Sequence, residues 1–235
     1  MLLAATALVV LERWPSRDGL VVELEGHGRD YASAGDLART VGWLTASFPV
    51  LVDPGPADGF WEAGRAAGDL LKRVKEQRRA VPGGGIGFAV LRHGLDAPAR
   101  ARLATAARPS VGLNYLGRLS WGAGGGAWSV VGTSDLVDAH EGGRAPRHGL
   151  DVTSALVGHG SGTRLRTTWV WPEDMPGAAD VPALVRRWGD AVRVLVEHST
   201  RPGAGGPTPS DVAADITQAE LDELAADLAT TEAEL

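Results

Sequence analysis

The 235-residue chain contains no cysteine, which excludes a disulfide scaffold, thiolate metal sites and a cysteine nucleophile together and is neutral on compartment. It also lacks any apolar run of the roughly 20 residues that a membrane-spanning helix requires. The opening stretch Met1 to Leu11 is apolar but breaks at Glu12 and Arg13, with no basic segment ahead of it as a secretory signal would have. A buried helix is expected there, and a cytoplasmic setting is the default. Basic charge is missing from the C-terminal segment. Residues 207–235 hold eight acidic side chains and no Lys or Arg, so that a total net charge of -6 leaves the remaining body at about +2. Such a body has no basic face to displace counterions from phosphates, which argues against nucleic acid as a partner. Neither a Gly-x-Ser-x-Gly elbow nor a His-Glu-x-x-His helix occurs. The loop Pro82-Gly-Gly-Gly-Ile-Gly-Phe88 lacks the Gly-Lys-Ser/Thr ending and the Gly-x-Gly-x-x-Gly spacing of nucleotide cradles, so its glycines are read as allowing a close backbone passage.

With 44% hydrophobic residues the chain can bury a sizeable core. Gly19-Leu-Val-Val-Glu-Leu-Glu25 alternates as a strand does and delivers Glu25 to its end, where Gly26 and Gly28 let the backbone turn. Phe60, Ala67, Leu71 and Val74 recur at helical spacing up to Arg79, before Pro82. Ser110 to Leu116 reads as a short strand. Asp151 to Val157 and Thr163 to Trp171 read as two strands joined by a Gly158–Gly162 turn. Leu184, Trp188, Ala191 and Leu195 mark a helix over 181–198. The mixture predicts a layered α/β (α+β) structure. Residues 1–200 are expected to form the body, and 201–235 a Pro/Gly linker followed by an acidic amphipathic helix. That helix is opened by the capping-box pattern Thr217-Gln-Ala-Glu220 ahead of Leu221, Leu224 and Leu228. It is expected to dock lightly on its own domain.

Four blocks occur in order: Glu25-Gly-His-Gly-Arg-Asp30, then Asp36 to Pro49, then Pro82 to Phe88, then Leu113-Asn-Tyr-Leu-Gly117. Together they resemble the epimerization domains of nonribosomal peptide synthetases, within the condensation-domain superfamily. Pro209-Ser-Asp211 and the leucine-bearing segment after it also resemble the exit of such domains. The resemblance implies one lobe of the chloramphenicol acetyltransferase-like fold, with a mixed sheet and packed helices. Departures are few: Asp30 stands where the family often has Glu, Leu44 where Phe is common, and Leu113 where Phe is usual. These 235 residues contain no His-His pair, whereas the family's N-terminal lobe carries a His-His-x-x-x-Asp-Gly motif. The chain is therefore expected to be the C-terminal lobe.

The resemblance assigns the catalytic role to Glu25, with Asn114 and Tyr115 donating hydrogen bonds near it. Inverting an amino-acid centre needs a positioned acid/base group and donors for the developing enolate oxygen. A carboxylate can serve if burial lifts its pKa. Read without the family, a glutamate at a strand end is a solvated charge and Tyr115 is as readily a core aromatic. His27, between two glycines, is read as a turn residue bonding backbone, and Arg29 as pairing with an acid to hold the loop. Thr45 and Ser47 are candidates for contacting a pantetheine arm, against local backbone capping, and Trp43 is expected to pack. No metal is implied. His93, His140, His148, His159 and His198 lack ligand spacing and are read as surface or loop residues.

The expected function is the glutamate half of an L-to-D epimerase for aminoacyl or peptidyl thioesters, inactive alone. No cofactor would be bound by the chain itself, because the substrate is carried on the phosphopantetheine of a peptidyl carrier protein. Neighbouring synthetase domains or a missing N-terminal lobe are the other expected partners. Self-association through an uncovered apolar face is a further expectation. The rival expectations are a non-catalytic docking element between modules and the C-terminal lobe of a condensation domain, which would form peptide bonds.

Overall fold

The computed structural model describes residues 1–29, 35–94, 96–106, 108–119, 147–158, 162–202, 204–212 and 214–233. The chain divides into two compact units, one formed by 1–20, 52–80 and 186–235, the other by 21–51 and 81–185.

The second unit holds the sheet. Its strands are β1 (Leu20–Gly26), β2 (Ala46–Val52), β3 (Val111–Leu119), β4 (Leu150–Val157) and β5 (Arg164–Val170), in the order β2-β1-β3-β4-β5. β3 runs parallel to β1 and to β4, while β4 and β5 pair antiparallel, so the sheet is mixed. The turn expected between β4 and β5 joins Val157 to its partner Arg164; His159 within it lies outside the described residues.

Register sorts the side chains by face, because successive strand residues point to opposite sides. Val22, Val111 and Leu150 form one cross-strand row, and Leu24, Leu113 and Val152 form another. All six are buried. The residues between them, Glu23, Gly112 and Asp151, form a row on the opposite face. Two helices not expected from the sequence, α3 (Ile86–His93) and α4 (Ala97–Thr105), follow a one-turn 3-10 helix at Pro82–Gly85. The side chain of Asp96 caps α4 by accepting from the Ala99 N–H at 3.0 Å. A Cβ on Gly85 would sit 2.0 Å from Phe48 Cγ, which is the close backbone passage expected of this loop.

In the first unit, α1 (Leu2–Arg13) is buried continuously from Leu3 to Val10. The run is apolar except for Thr6, whose hydroxyl accepts from Trp188 Nε1 at 3.0 Å. That bond satisfies a polar atom that would otherwise be costly to bury. The helix expected from Phe60 onwards is interrupted. A short 3-10 turn (Phe60–Glu62) ends at Ala63 in the left-handed region (φ 52°), and α2 begins at Arg65 and ends at Arg79. α2 buries Ala67, Leu70 and Val74, with Leu71 only half-buried. α5 (Val181–Ser199), which belongs to this unit from Arg186 onwards, buries Leu184, Trp188, Ala191 and Leu195, as its spacing predicts.

The C-terminal segment belongs to the first unit. Its helix α6 (Gln218–Ala233) opens with the expected capping box, since the Thr217 N–H donates to Glu220 Oε2 at 2.8 Å and the Glu220 N–H to Thr217 Oγ1 at 3.3 Å. Leu221 is buried and Leu224 exposed. Ion pairs tie the segment to α2: Lys72 meets Asp222 at 2.7 Å, and both Lys75 and Arg79 reach Asp211. Ser210 Oγ also donates to Glu76 at 2.6 Å.

Leu195 has no solvent exposure, so Leu195→Ala should cost about 2–5 kcal/mol through lost burial and the cavity left behind. Urea unfolding of the variant measures this, and a loss below about 1 kcal/mol would show that the first unit repacks freely around α5.

Candidate functional site

Glu23 and Glu25 lie two residues apart on β1 and therefore share a face of the sheet. On the neighbouring β3, Gly112 pairs with Glu23, and Asn114, two residues further on, comes alongside Glu25. The Asn114 Nδ2–H donates to Glu25 Oε2 at 2.6 Å, a short charge-assisted bond that fixes the carboxylate at the strand end. Burial pushes the Glu25 pKa up from its ordinary value. Arg147 opposes that rise, Glu23 adds to it, and His148 and Asp151 contribute with opposite signs. Two of the residues singled out in the sequence, Glu25 and Asn114, thus meet in the structure. Tyr115 follows Asn114 on β3, so strand alternation turns it to the other face, where it is exposed.

Beneath Glu25 is a charged layer that the motifs did not indicate. Glu23 is buried, with its side chain 6% exposed, and its Oε1 meets Arg147 Nη2 at 2.9 Å and His148 Nε2 at 3.5 Å. On its other side the His148 ring meets Asp151 Oδ1 through Nδ1 at 2.5 Å. Each ring nitrogen faces a carboxylate oxygen. Only the imidazolium can donate at both, so the geometry calls for a charged ring. Burial works against that charge, but the hydrogen bonds to Asp151 and Glu23 outweigh it and raise the His148 pKa to about 9. The hydrogen bond from His148, more than Arg147, correspondingly holds Glu23 below its ordinary value. His148 was expected at the surface or in a loop. It does lie in the segment leading into β4, but its side chain is only 7% exposed.

Gly112 makes room for this ring. A Cβ there would lie 2.5 Å from His148 Nδ1 and 2.6 Å from Asp151 Oδ1. The alternation of Glu23 with Glu25, and the spacing of His148 and Asp151 at i and i+3, were visible in the sequence. Their meeting over a glycine of β3 required the sheet register.

The loop after β1 is held by backbone contacts. His27 Nδ1 accepts from the Arg29 N–H at 3.1 Å, as a turn histidine would. Arg29 donates to carbonyl oxygens, at 3.4 Å to His27 and 2.8 Å to Thr40, where pairing with an acid was expected; Asp30 lies outside the described residues. Gly28 has φ +66°, and a Cβ there would fall 1.8 Å from the Leu44 carbonyl oxygen, so the returning segment passes directly over it. Thr45 follows in that segment and is exposed, while Ser47 on β2 is half-buried. Trp43, expected to pack, is instead 90% exposed, because the segment closes on Gly28 through the backbone of Leu44 and leaves the neighbouring indole in solvent. His93 closes α3 and His198 lies in the last turn of α5, with His198 Nδ1 3.3 Å from the Ala63 carbonyl; His140 lies outside the described residues. Among the described residues no three His, Asp or Glu side chains are gathered so as to hold a metal ion, and no helix is long and apolar enough to cross a membrane.

The His148 cluster predicts how stability depends on pH. A group whose pKa rises on folding from 6.5 to about 9 contributes stability that is complete below pH 6.5 and is lost as pH climbs through 9. The wild-type urea midpoint should therefore fall across this window, with a smaller fall in His148→Asn. Equal slopes for the two proteins would contradict a charged ring.

A family model described as "Condensation domain" matches residues 1–124. A linear gramicidin synthase protein from Brevibacillus parabrevis is 35% identical over 218 residues, which are 89% of this chain and 3% of that protein. Chondramide synthase cmdD from Chondromyces crocatus is 33% identical over 231 residues, 94% of this chain and 5% of that protein. The chain thus spans only a small fraction of these curated relatives. The crystal structure of the epimerization domain from the third module of tyrocidine synthetase B matches with a TM-score of 0.61 at 24% identity, covering 85% of this chain and 42% of that one. That match bears out the chloramphenicol acetyltransferase-like α/β fold. On the family match, which takes in β1, β2 and β3 with Glu25 and Asn114, the chain belongs to the condensation-domain family.

Proposed function

We propose that this chain is the C-terminal lobe of an epimerization domain and supplies the glutamate half of an L-to-D epimerization site for aminoacyl or peptidyl thioesters. The observation that carries the reading is Glu25 itself: exposed at the end of β1, raised in pKa by partial desolvation, and oriented by the Asn114 amide at 2.6 Å. A general base works best when its pKa approaches the working pH and its lone pair is aimed. The synthetase relatives and the epimerization-domain fold support the reading.

In this scheme the Glu25 carboxylate takes the Cα proton of the thioester. The electron pair of the broken C–H bond moves onto the thioester carbonyl and gives an enolate. Asn114 carries two N–H bonds; one holds Glu25 and the second is assigned to the enolate oxygen, where a fixed donor lowers the barrier. Tyr115 lies on the other strand face from Glu25 and Asn114 and takes no step in this scheme. Return of a proton to the opposite face of Cα completes inversion and needs a second acid. We assign that acid to the histidine of a His-His-x-x-x-Asp-Gly lobe, a motif not found in these 235 residues. The substrate arrives on the phosphopantetheine of a peptidyl carrier protein, with Thr45 and Ser47 as the candidate contacts for that arm and His27 and Arg29 shaping the loop beside it.

A second reading, the C-terminal lobe of a peptide-bond-forming condensation domain, is favoured by the match to the condensation-domain family model. Deuterium incorporation from solvent at Cα separates the two. Carrier-bound L-aminoacyl or peptidyl thioester would be incubated with this chain, alone and with a complementary His-His-x-x-x-Asp-Gly lobe. Exchange is expected only with both lobes, and Glu25→Gln should lower it by about 10²-fold or more. Exchange that survives Glu25→Gln would remove Glu25 from the mechanism; with a second carrier-bound aminoacyl thioester added as amine acceptor, amide formation with release of the donor carrier's thiol and no exchange would favour the condensation reading.

A further inference from the structure

Glu25 does not sit on a neutral platform. The row directly beneath it, Glu23–Gly112–Asp151, runs across three strands and brings two carboxylates to one face with a gap between them. His148 fills the gap, 3.5 Å from Glu23 and 2.5 Å from Asp151. Its position depends on Gly112, since any Cβ there would collide with the ring. The groups around this point are Glu23 and Glu25 on β1, Asn114 on β3, Asp151 on β4, Arg147 beside His148, and Arg92 on α3, whose charge also acts on Glu23. With His148 charged, the pairs Glu23/Arg147 and Asp151/His148 cancel. With a neutral ring, Asp151 would lose the charge paired with it and its repulsion of the Glu25 carboxylate would go unopposed by His148.

We propose that His148 is a positioning residue for Glu25: wedged over Gly112 between Glu23 and Asp151, its charge balances that carboxylate row and lets Glu25 stay ionised at the strand end against Asn114. The assignment deepens the epimerase reading by naming what sets the ionisation of the base, and its catalytic meaning rests on that reading. The coupling between His148 and Glu25 does not.

The test is a carboxyl-carbon NMR titration of the chain labelled at the glutamate side-chain carboxyl, with Glu25→Gln identifying the Glu25 signal. His148→Gln should raise the Glu25 midpoint by about 0.5–1.5 pH units. A loosened site cannot mimic this result, because exposure would return Glu25 towards its ordinary, lower value. An unchanged or lowered midpoint in the variant overturns the proposal. The wild type gives an independent check that needs no variant to fold. The His148 ring should titrate near 9, with a second, smaller inflection of the Glu25 signal at the same pH. A ring titrating near 6.5, or no second inflection, also overturns the proposal.

Where Cα exchange is observed, the acidic limb of its pH profile should move up in His148→Gln together with the NMR midpoint. NMR coupling without exchange in the two-lobe assay would overturn the epimerase reading and leave the coupling standing. Exchange without coupling would do the reverse.

Discussion

A carboxylate buried on a central strand is tolerable only where other charges compensate it, and Glu23 imposes that condition on this sheet. Its negative charge lies among residues that exclude water, and taking an ionised carboxylate out of water without a partner costs several kcal/mol. Arg147 and His148 supply the partners, and Asp151 holds the histidine from its other side. The arrangement constrains the backbone as well as the side chains. β3 must pass between β1 and β4 in a register that puts a residue without a side chain, Gly112, under the ring. The parallel pairing of three strands, the approach of the chain into β4 and the choice of glycine on β3 are thus one connected requirement.

Glu25 draws its properties from that layer. One strand step of two residues separates it from Glu23, which puts the two glutamates on one face in different environments. Glu23 is enclosed, paired and held below its ordinary pKa, whereas Glu25 has one amide donor and is pushed above it. Two carboxylates whose surroundings move their pKa values apart are a common basis for assigning acid and base roles. Here the lower glutamate is held as a fixed charge and the upper one is shifted towards protonation.

The first unit follows a different economy, with apolar burial and surface charge kept apart. α1 is enclosed along most of its length and buries one hydroxyl, matched by the indole of Trp188. The acidic C-terminal segment, which on composition alone would be a solvated tail, finds its opposite charge along one side of α2 in Lys72, Lys75 and Arg79. These contacts are mostly open to water, where ion pairs contribute little individually. Their effect is to fix where the chain runs, with Leu221 as the apolar anchor.

Much of this was determined by the sequence. Apolar patterning identified α5 and the strands β1, β3, β4 and β5, and a continuous apolar run identified α1, because both are local properties; β2, within the Asp36 to Pro49 block, was not expected as a strand. The capping box at Thr217 and the glycine-bearing turn after Glu25 were equally readable, since caps and turns depend on neighbours within a few residues. The Glu25 and Asn114 blocks could be paired only through family resemblance, being 89 positions apart. Local signals misled where packing set the outcome: Ala63 broke the helix expected from Phe60, a glycine-rich loop led straight into α3, and Trp43 stayed exposed. The layer of Glu23, His148 and Asp151 was decided by tertiary structure alone. Its members are unremarkable in their own segments, and only cross-strand register brings a glycine of β3 beneath a histidine that precedes β4, creating the space in which the ring is held between two carboxylates.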